Sequence, residues 1–108
     1  MNPWLLLFLT ILSEVIGTIS LRLSDGFTKL WPVAVVVVCY GLAFWGLSLV
    51  MRRLEIGITY AIWSGVGTVI TAIAGVLLFQ ESVSLPKLAG IALIIAGVIL
   101  LHVSAQLR

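Results

Sequence analysis

The sequence predicts an all-α integral membrane protein of four transmembrane helices per subunit, and three observations carry that expectation. Of its 108 residues, 62% are hydrophobic and only 9% charged, with a mean hydropathy of +1.29. A soluble globule this small leaves too much of its chain exposed to hide that much apolar surface. The apolar runs are long and continuous, whereas a β-barrel alternates in segments of ~10 residues, so helices are favoured. Short polar stretches then divide the chain into spans at about 3–21, 33–51, 56–79 and 87–104, expected to form one four-helix transmembrane domain over residues 1–108.

Span one has the length to cross a hydrocarbon core of ~30 Å at ~1.5 Å per residue. Its single charge as far as Leu21 is Glu14, somewhat beyond the midpoint. A carboxylate there costs roughly 2.5–3.5 kcal/mol on the most lenient insertion scale. A permanently neutral Glu in an interhelical hydrogen bond is the plainer account of it. Intramembrane carboxylates, however, mark ion or substrate paths by default, and Glu14 is read as a binding site. Leu7, Thr10, Gly17 and Thr18 lie at helical spacing from it. Gly17 and Thr18 leave space beside the carboxyl, for a ligand or for close helix packing. The segment lacks a basic stretch ahead of it and an Ala-x-Ala-like site, so it is not expected to be a cleaved signal.

Span two follows a polar connection in which Asp25-Gly26 signals a turn, Trp31 suits the membrane interface and Pro32 suits a first helical turn. Val33 to Val38 would suggest a strand in a soluble protein, but in lipid the length of the run decides for helix. Cys39, the sole cysteine, has no intrachain partner and reads as a small packing residue. Tyr40, Ala43, Phe44 and Leu47 then recur at helical spacing.

Span three carries Gly57, Gly65, Gly67 and Gly75, an unusual density for one helix, with Tyr60 and Trp63 one turn apart. Trp4, Trp31 and Trp45 fit interfacial anchors, whereas Trp63 lies about seven residues inside its span. Aromatic faces beside a carboxylate suit an organic cation, with cation–π attraction adding ~0.5–2 kcal/mol. Packing alone would also explain any one of these rings. In span four, Gly90 and Gly97 stand a heptad apart among Ala89, Ala92 and Ala96. Small residues on one face let backbones approach, so span four is read as a dimerisation helix, the alternative being packing within its own subunit. His102 near its far end is read as interfacial and structural.

Charge does not set an orientation. With four spans, Arg52, Arg53 and Arg108 share one side, and Arg22, Lys29 and Lys87 share the other. The positive-inside rule needs a bias that this three-against-three balance lacks. Four helices are too few to enclose a polar path, so a dimer is expected, and balanced charge permits an antiparallel one. Nothing in the pattern asks for bond chemistry, a cofactor, a metal ion or nucleic acid, so no enzyme is expected. Two other classes stay open: a membrane subunit whose Glu14 pairs with a partner's cation, and a polyamine or lipid carrier.

Several strings together resemble one family across nearly the full length: Glu14-Val15-Ile16-Gly17-Thr18, Gly26-Phe27-Thr28 with Trp31-Pro32, Cys39-Tyr40, Gly57 through Gly67, and Gly90 to Gly97. The chain resembles the small multidrug resistance transporters, in the branch exporting quaternary ammonium and polyaromatic cations. The resemblance implies a multi-pass antiporter of the bacterial plasma (inner) membrane, an antiparallel homodimer exchanging protons for cationic drugs without a cofactor. It carries the shared proton and substrate site onto Glu14, and substrate contacts onto Tyr40, Tyr60 and Trp63. Bending between inward- and outward-open states falls on Gly65 and Gly67, and dimerisation on Gly90 and Gly97. The guanidinium-exporting branch places a Trp three residues after the glutamate, where this chain has Gly17. Thr10, Arg22 and Ala43 depart from the multidrug pattern, so a guanidinium-type or polyamine/lipid exporter is the alternative.

Overall fold

The computed structural model describes residues 2–107, which form four helices: α1 (Pro3–Leu23), α2 (Leu30–Val50), α3 (Ile56–Phe79) and α4 (Leu85–Gln106). Arg108, counted in the charge balance, lies outside the described residues. Each helix is long and apolar enough to cross a membrane, and no strand occurs among the described residues. The chain is an all-α, multi-pass membrane protein.

Local chemistry sets the helix ends. Asn2 caps α1, its Oδ1 accepting from the Trp4 N–H at 2.8 Å, with Pro3 in the first turn where its missing N–H is harmless. After α1 the chain turns through three residues of positive φ, Asp25, Gly26 and Phe27. Ser24 anchors this turn: its hydroxyl donates to the Leu21 carbonyl and accepts from the Phe27 N–H, at 2.7 and 3.1 Å. Helix α2 begins at Leu30, ahead of Pro32, because the first helical N–H groups have no intrahelical acceptor and a proline among them sacrifices nothing. In the same way α4 opens at Leu85 ahead of Pro86, where the Ser84 hydroxyl accepts from the Lys87 N–H at 3.3 Å. Helix α3 closes on Gln80 in the left-handed conformation, with the Glu81 N–H donating to the Gly75 carbonyl at 3.2 Å.

The chain divides into two compact units, 1–54 and 55–108. In the first, α1 and α2 pack antiparallel. Gly46 admits the Thr10 side chain so closely that any Cβ there would overlap the Thr10 methyl group. Gly17 likewise lies under the ring of Tyr40, where a Cβ would fall 2.6 Å from ring carbons. Between these contacts the Ser13 hydroxyl donates to the Cys39 carbonyl at 2.8 Å, tying the helices at mid-length. Leu7, Ile11, Val15, Val36, Ala43, Leu47 and Val50 are buried in this unit.

In the second unit α3 and α4 meet at Gly65, whose Cβ would stand 2.8 Å from Val98 and 3.4 Å from Ile94. Helix α4 has no buried residue, and Leu93 and Leu100 are 74% and 69% exposed. In water such a surface would collapse or aggregate; in hydrocarbon it is at home.

The close approach at Gly46 yields a sign test. Gly41, on the same helix, would have nothing within 4 Å of an added Cβ. In helices Gly→Ala is intrinsically favourable by about 0.5–1 kcal/mol. Gly41→Ala is therefore expected to be neutral or stabilising, while overpacking by about 1–3 kcal/mol makes Gly46→Ala destabilising. Thermal unfolding of the two variants in detergent decides the matter, and equal shifts would refute close packing at Gly46.

Candidate cation and proton site

In the first unit the carboxyl of Glu14 is joined to α2 by hydrogen bonds. The Thr18 hydroxyl, one turn on, donates to Glu14 Oε1 at 2.8 Å. The same hydroxyl lies 2.8 Å from the Tyr40 phenol on α2. Helical Ser and Thr commonly bond back to the carbonyl three or four residues earlier. Ser20, Ser64 and Thr68 do so here, bonding to Ile16, Tyr60 and Ser64. Thr18 instead serves side chains on both sides.

The single hydroxyl hydrogen of Thr18 ties the direction of this chain to the state of Glu14. A threonine hydroxyl has one hydrogen. With that hydrogen given to an ionised Glu14, the Tyr40 phenol must donate to Thr18, so polarity runs from Tyr40 through Thr18 to Glu14. If Glu14 carries the proton and donates, Thr18 turns its hydrogen to Tyr40 and the order reverses. Either order keeps the Thr18 hydroxyl between the carboxyl and the phenol. Glu14 and Thr18 are half-buried, open enough to receive a ligand.

Tyr40 is held in this place by its surroundings. Gly17 leaves room for its ring against α1, and Phe44 stands one turn along, ring centroids 6.2 Å apart and tilted by 59°. Phe44 is exposed, presenting an aromatic edge beside the phenol.

The other residues expected on this face divide. Leu7 and Thr10 are buried; the Thr10 hydroxyl donates to the Leu7 carbonyl at 2.7 Å and its methyl group meets Gly46. The structure gives them a packing role between α1 and α2. In the second unit Tyr60 and Trp63 form a pair on α3, ring centroids 5.7 Å apart at 36°, with Tyr60 exposed and Trp63 buried. Helix α3 continues without interruption through Gly65 and Gly67. On α4 nothing stands within 4 Å of a Cβ built on Gly90 or Gly97, so the strip between them is uncovered within the chain.

Two polar residues were not anticipated. Ser13, beside Glu14 in sequence, bridges to the Cys39 carbonyl, and only its adjacency to an intramembrane carboxyl could have signalled it. Thr59, beside Tyr60, is fully buried, and its hydroxyl has no hydrogen-bond partner among the described residues. Neither residue advertises itself by spacing. Among the described residues no three His, Cys, Asp or Glu side chains gather to hold a metal ion.

Comparison with known proteins identifies the family of the chain. The sequence profile described as Small Multidrug Resistance protein matches residues 2–94. The quaternary ammonium compound-resistance protein QacG of Staphylococcus sp. (strain ST94) is 46% identical over 103 residues, covering 95% of this chain and 96% of QacG. The multidrug resistance protein EbrB of Bacillus subtilis (strain 168) is 48% identical over 104 residues, 96% of this chain and 89% of EbrB. The quaternary ammonium compound-resistance protein QacE of Escherichia coli is 44% identical over 106 residues, 98% of this chain and 96% of QacE. Nearly full-length matches at these identities, on a chain of four membrane-length helices, establish that it belongs to the small multidrug resistance family.

Proposed function

We propose that this protein exports hydrophobic organic cations, quaternary ammonium and polyaromatic compounds among them, in exchange for protons, with Glu14 as the site both ligands share. The observation that carries the reading is the Glu14–Thr18–Tyr40 chain: a carboxyl in a membrane span, hydrogen-bonded yet accessible, with an aromatic wall beside it. Relatives named for resistance to quaternary ammonium compounds support the substrate class.

The mechanism follows from competition. An ionised Glu14, steadied by Thr18, attracts a cation, while Tyr40 and Phe44 offer ring faces to its apolar groups. Cation–π attraction contributes about 0.5–2 kcal/mol per favourable ring. A proton and a cation cannot both neutralise one carboxylate, so binding either expels the other. Exchange results when the protein changes access only in the occupied states. Gly17 supports the multidrug reading over a guanidinium-type exporter, because Tyr40 occupies the space that a larger side chain at this position would need.

The functional unit in this reading is an antiparallel homodimer of four-helix subunits, one domain each. Balanced basic residues on the two sides of the spans and the uncovered strip at Gly90 and Gly97 support it. In this reading Tyr60 and Trp63 are further contacts of the substrate, and Gly65 and Gly67 are where α3 flexes during the access change.

Proton release on adding tetraphenylphosphonium to detergent-solubilised protein tests the shared site. Glu14→Gln should abolish both release and binding while the protein stays assembled. Thr18→Val keeps the shape but removes the hydroxyl that steadies the ionised carboxylate; with a charge-assisted bond worth about 1.5–3 kcal/mol lost, the proton competes better, and apparent cation affinity at fixed pH should fall by up to about ten- to hundred-fold, with Thr18→Ser restoring most of it. Normal release from the Gln variant would end the proposal.

Trp63→Phe separates a lining role from simple packing. As part of the lining, the smaller ring should weaken planar aromatic cations more than small tetraalkyl ammonium ions, measured as Kd values beside thermal stability. A uniform loss tracking stability would return Trp63 to the core.

Orientation is tested with Thr28→Cys, exposed in the α1–α2 connection, in a Cys39→Ala background, labelled by a membrane-impermeant maleimide. An antiparallel dimer requires roughly half of the chains to react from each face; labelling from a single face would rule it out.

A further inference from the structure

A second concave site lies in the first unit, where the N-terminal end of α1 meets the C-terminal end of α2. This cavity, about 660 Å³, is lined by Leu6, Trp45, Leu49 and Val50 below and by Arg52 and Arg53 at the rim, with Pro3 beside them. Its volume falls in the range of small-molecule sites, roughly 300–1,000 Å³. Its walls are apolar, its charged residues are both arginines, and no carboxylate lines it. The dipole of α1 presents its positive end here and that of α2 its negative end, so they offset and the guanidiniums set the sign.

That sign excludes the exported cations, which two arginines would repel. It selects an anion, and the walls require that the anion carry an apolar body. Position completes the description. Trp45 lies five residues deeper than the end of α2, about 7.5 Å along the axis, the depth over which a headgroup gives way to acyl chain. The geometry points to a phospholipid site: Arg52 and Arg53 hold an anionic phosphate headgroup, and Trp45, Leu6 and Leu49 receive the start of its acyl chains. Guanidinium forks match phosphate oxygens in pairs, and basic pockets at the ends of membrane helices favour anionic lipids. A groove of the second unit is smaller, about 160 Å³, and is lined by one basic residue, Lys87, against the two arginines here.

The test uses the intact protein reconstituted in nanodiscs of equal phosphatidylglycerol and phosphatidylcholine, released and weighed by native mass spectrometry with its retained lipids. The unmodified protein should retain phosphatidylglycerol over phosphatidylcholine by roughly five-fold or more, the factor expected for one basic residue at a membrane surface. The R52Q/R53Q variant should fall to near parity, and R52K/R53K should keep a reduced preference, showing that charge and fork geometry both count. Lys29→Gln with Lys87→Gln should leave the ratio unchanged, and Trp45→Ala should lower total lipid retained. Tetraphenylphosphonium binding, unaffected in every variant, certifies the fold. Retention of the preference in R52Q/R53Q would overturn the site. An equal loss in the Lys29 and Lys87 variant would do so too, since it would reveal a general effect of basic charge.

Discussion

A carboxyl group inside a membrane helix must be given partners, and most of the first unit can be understood as the means of giving Glu14 its own. One hydrogen bond comes from Thr18 on the same helix, and the chain continues to Tyr40 on the next. For the phenol to reach Thr18, its ring must lie close against α1, which Gly17 permits by having no side chain. For α2 to run at that distance, the helices must meet closely along their length, which Gly46 permits against Thr10 and the Ser13 bridge to Cys39 maintains. Gly17, Gly46, Ser13 and Thr18 therefore act together: they bring α2 close enough for the Tyr40 phenol to reach the Thr18 hydroxyl, which bonds the carboxyl at 2.8 Å.

Much of this is legible in the sequence, for physical reasons that also mark where reading stops. Length and unbroken apolarity are read directly, because a helix is the segment that satisfies its own backbone in lipid. Helix ends are less so. Hydropathy places the start of span two at residue 33 and of span four at 87, whereas the helices begin at Leu30 and Leu85. Backbone hydrogen bonding extends past the apolar run into the polar boundary, and Pro32 and Pro86 do not stop it when they fall in the first turn. Helical spacing gathers Leu7, Thr10, Gly17 and Thr18 on the stripe of Glu14. It does not separate their tasks, since periodicity gives direction and not distance: Thr18 bonds the carboxyl while Thr10 spends its hydroxyl on its own helix. Ser13 lies off the stripe and bonds a backbone carbonyl, which any residue type could have offered, so no pattern announces it.

Hydrocarbon changes what exposure means. Lipid tails are as apolar as leucine, so nothing drives the exposed Leu93 and Leu100 of α4 toward burial. What holds helices together there is close approach, and the glycines record where it has been achieved. Gly17, Gly46 and Gly65 are filled by side chains of the neighbouring helix within their own unit. Gly41, Gly90 and Gly97 are not. A glycine in a helix interior carries an intrinsic cost of roughly 0.5–1 kcal/mol relative to alanine, which a filled position recovers through contact. The open positions have no such return inside the chain. Gly90 and Gly97 lie two turns apart on α4, which has no buried residue, and the proposal that α4 meets a second copy rests on that unrecovered cost.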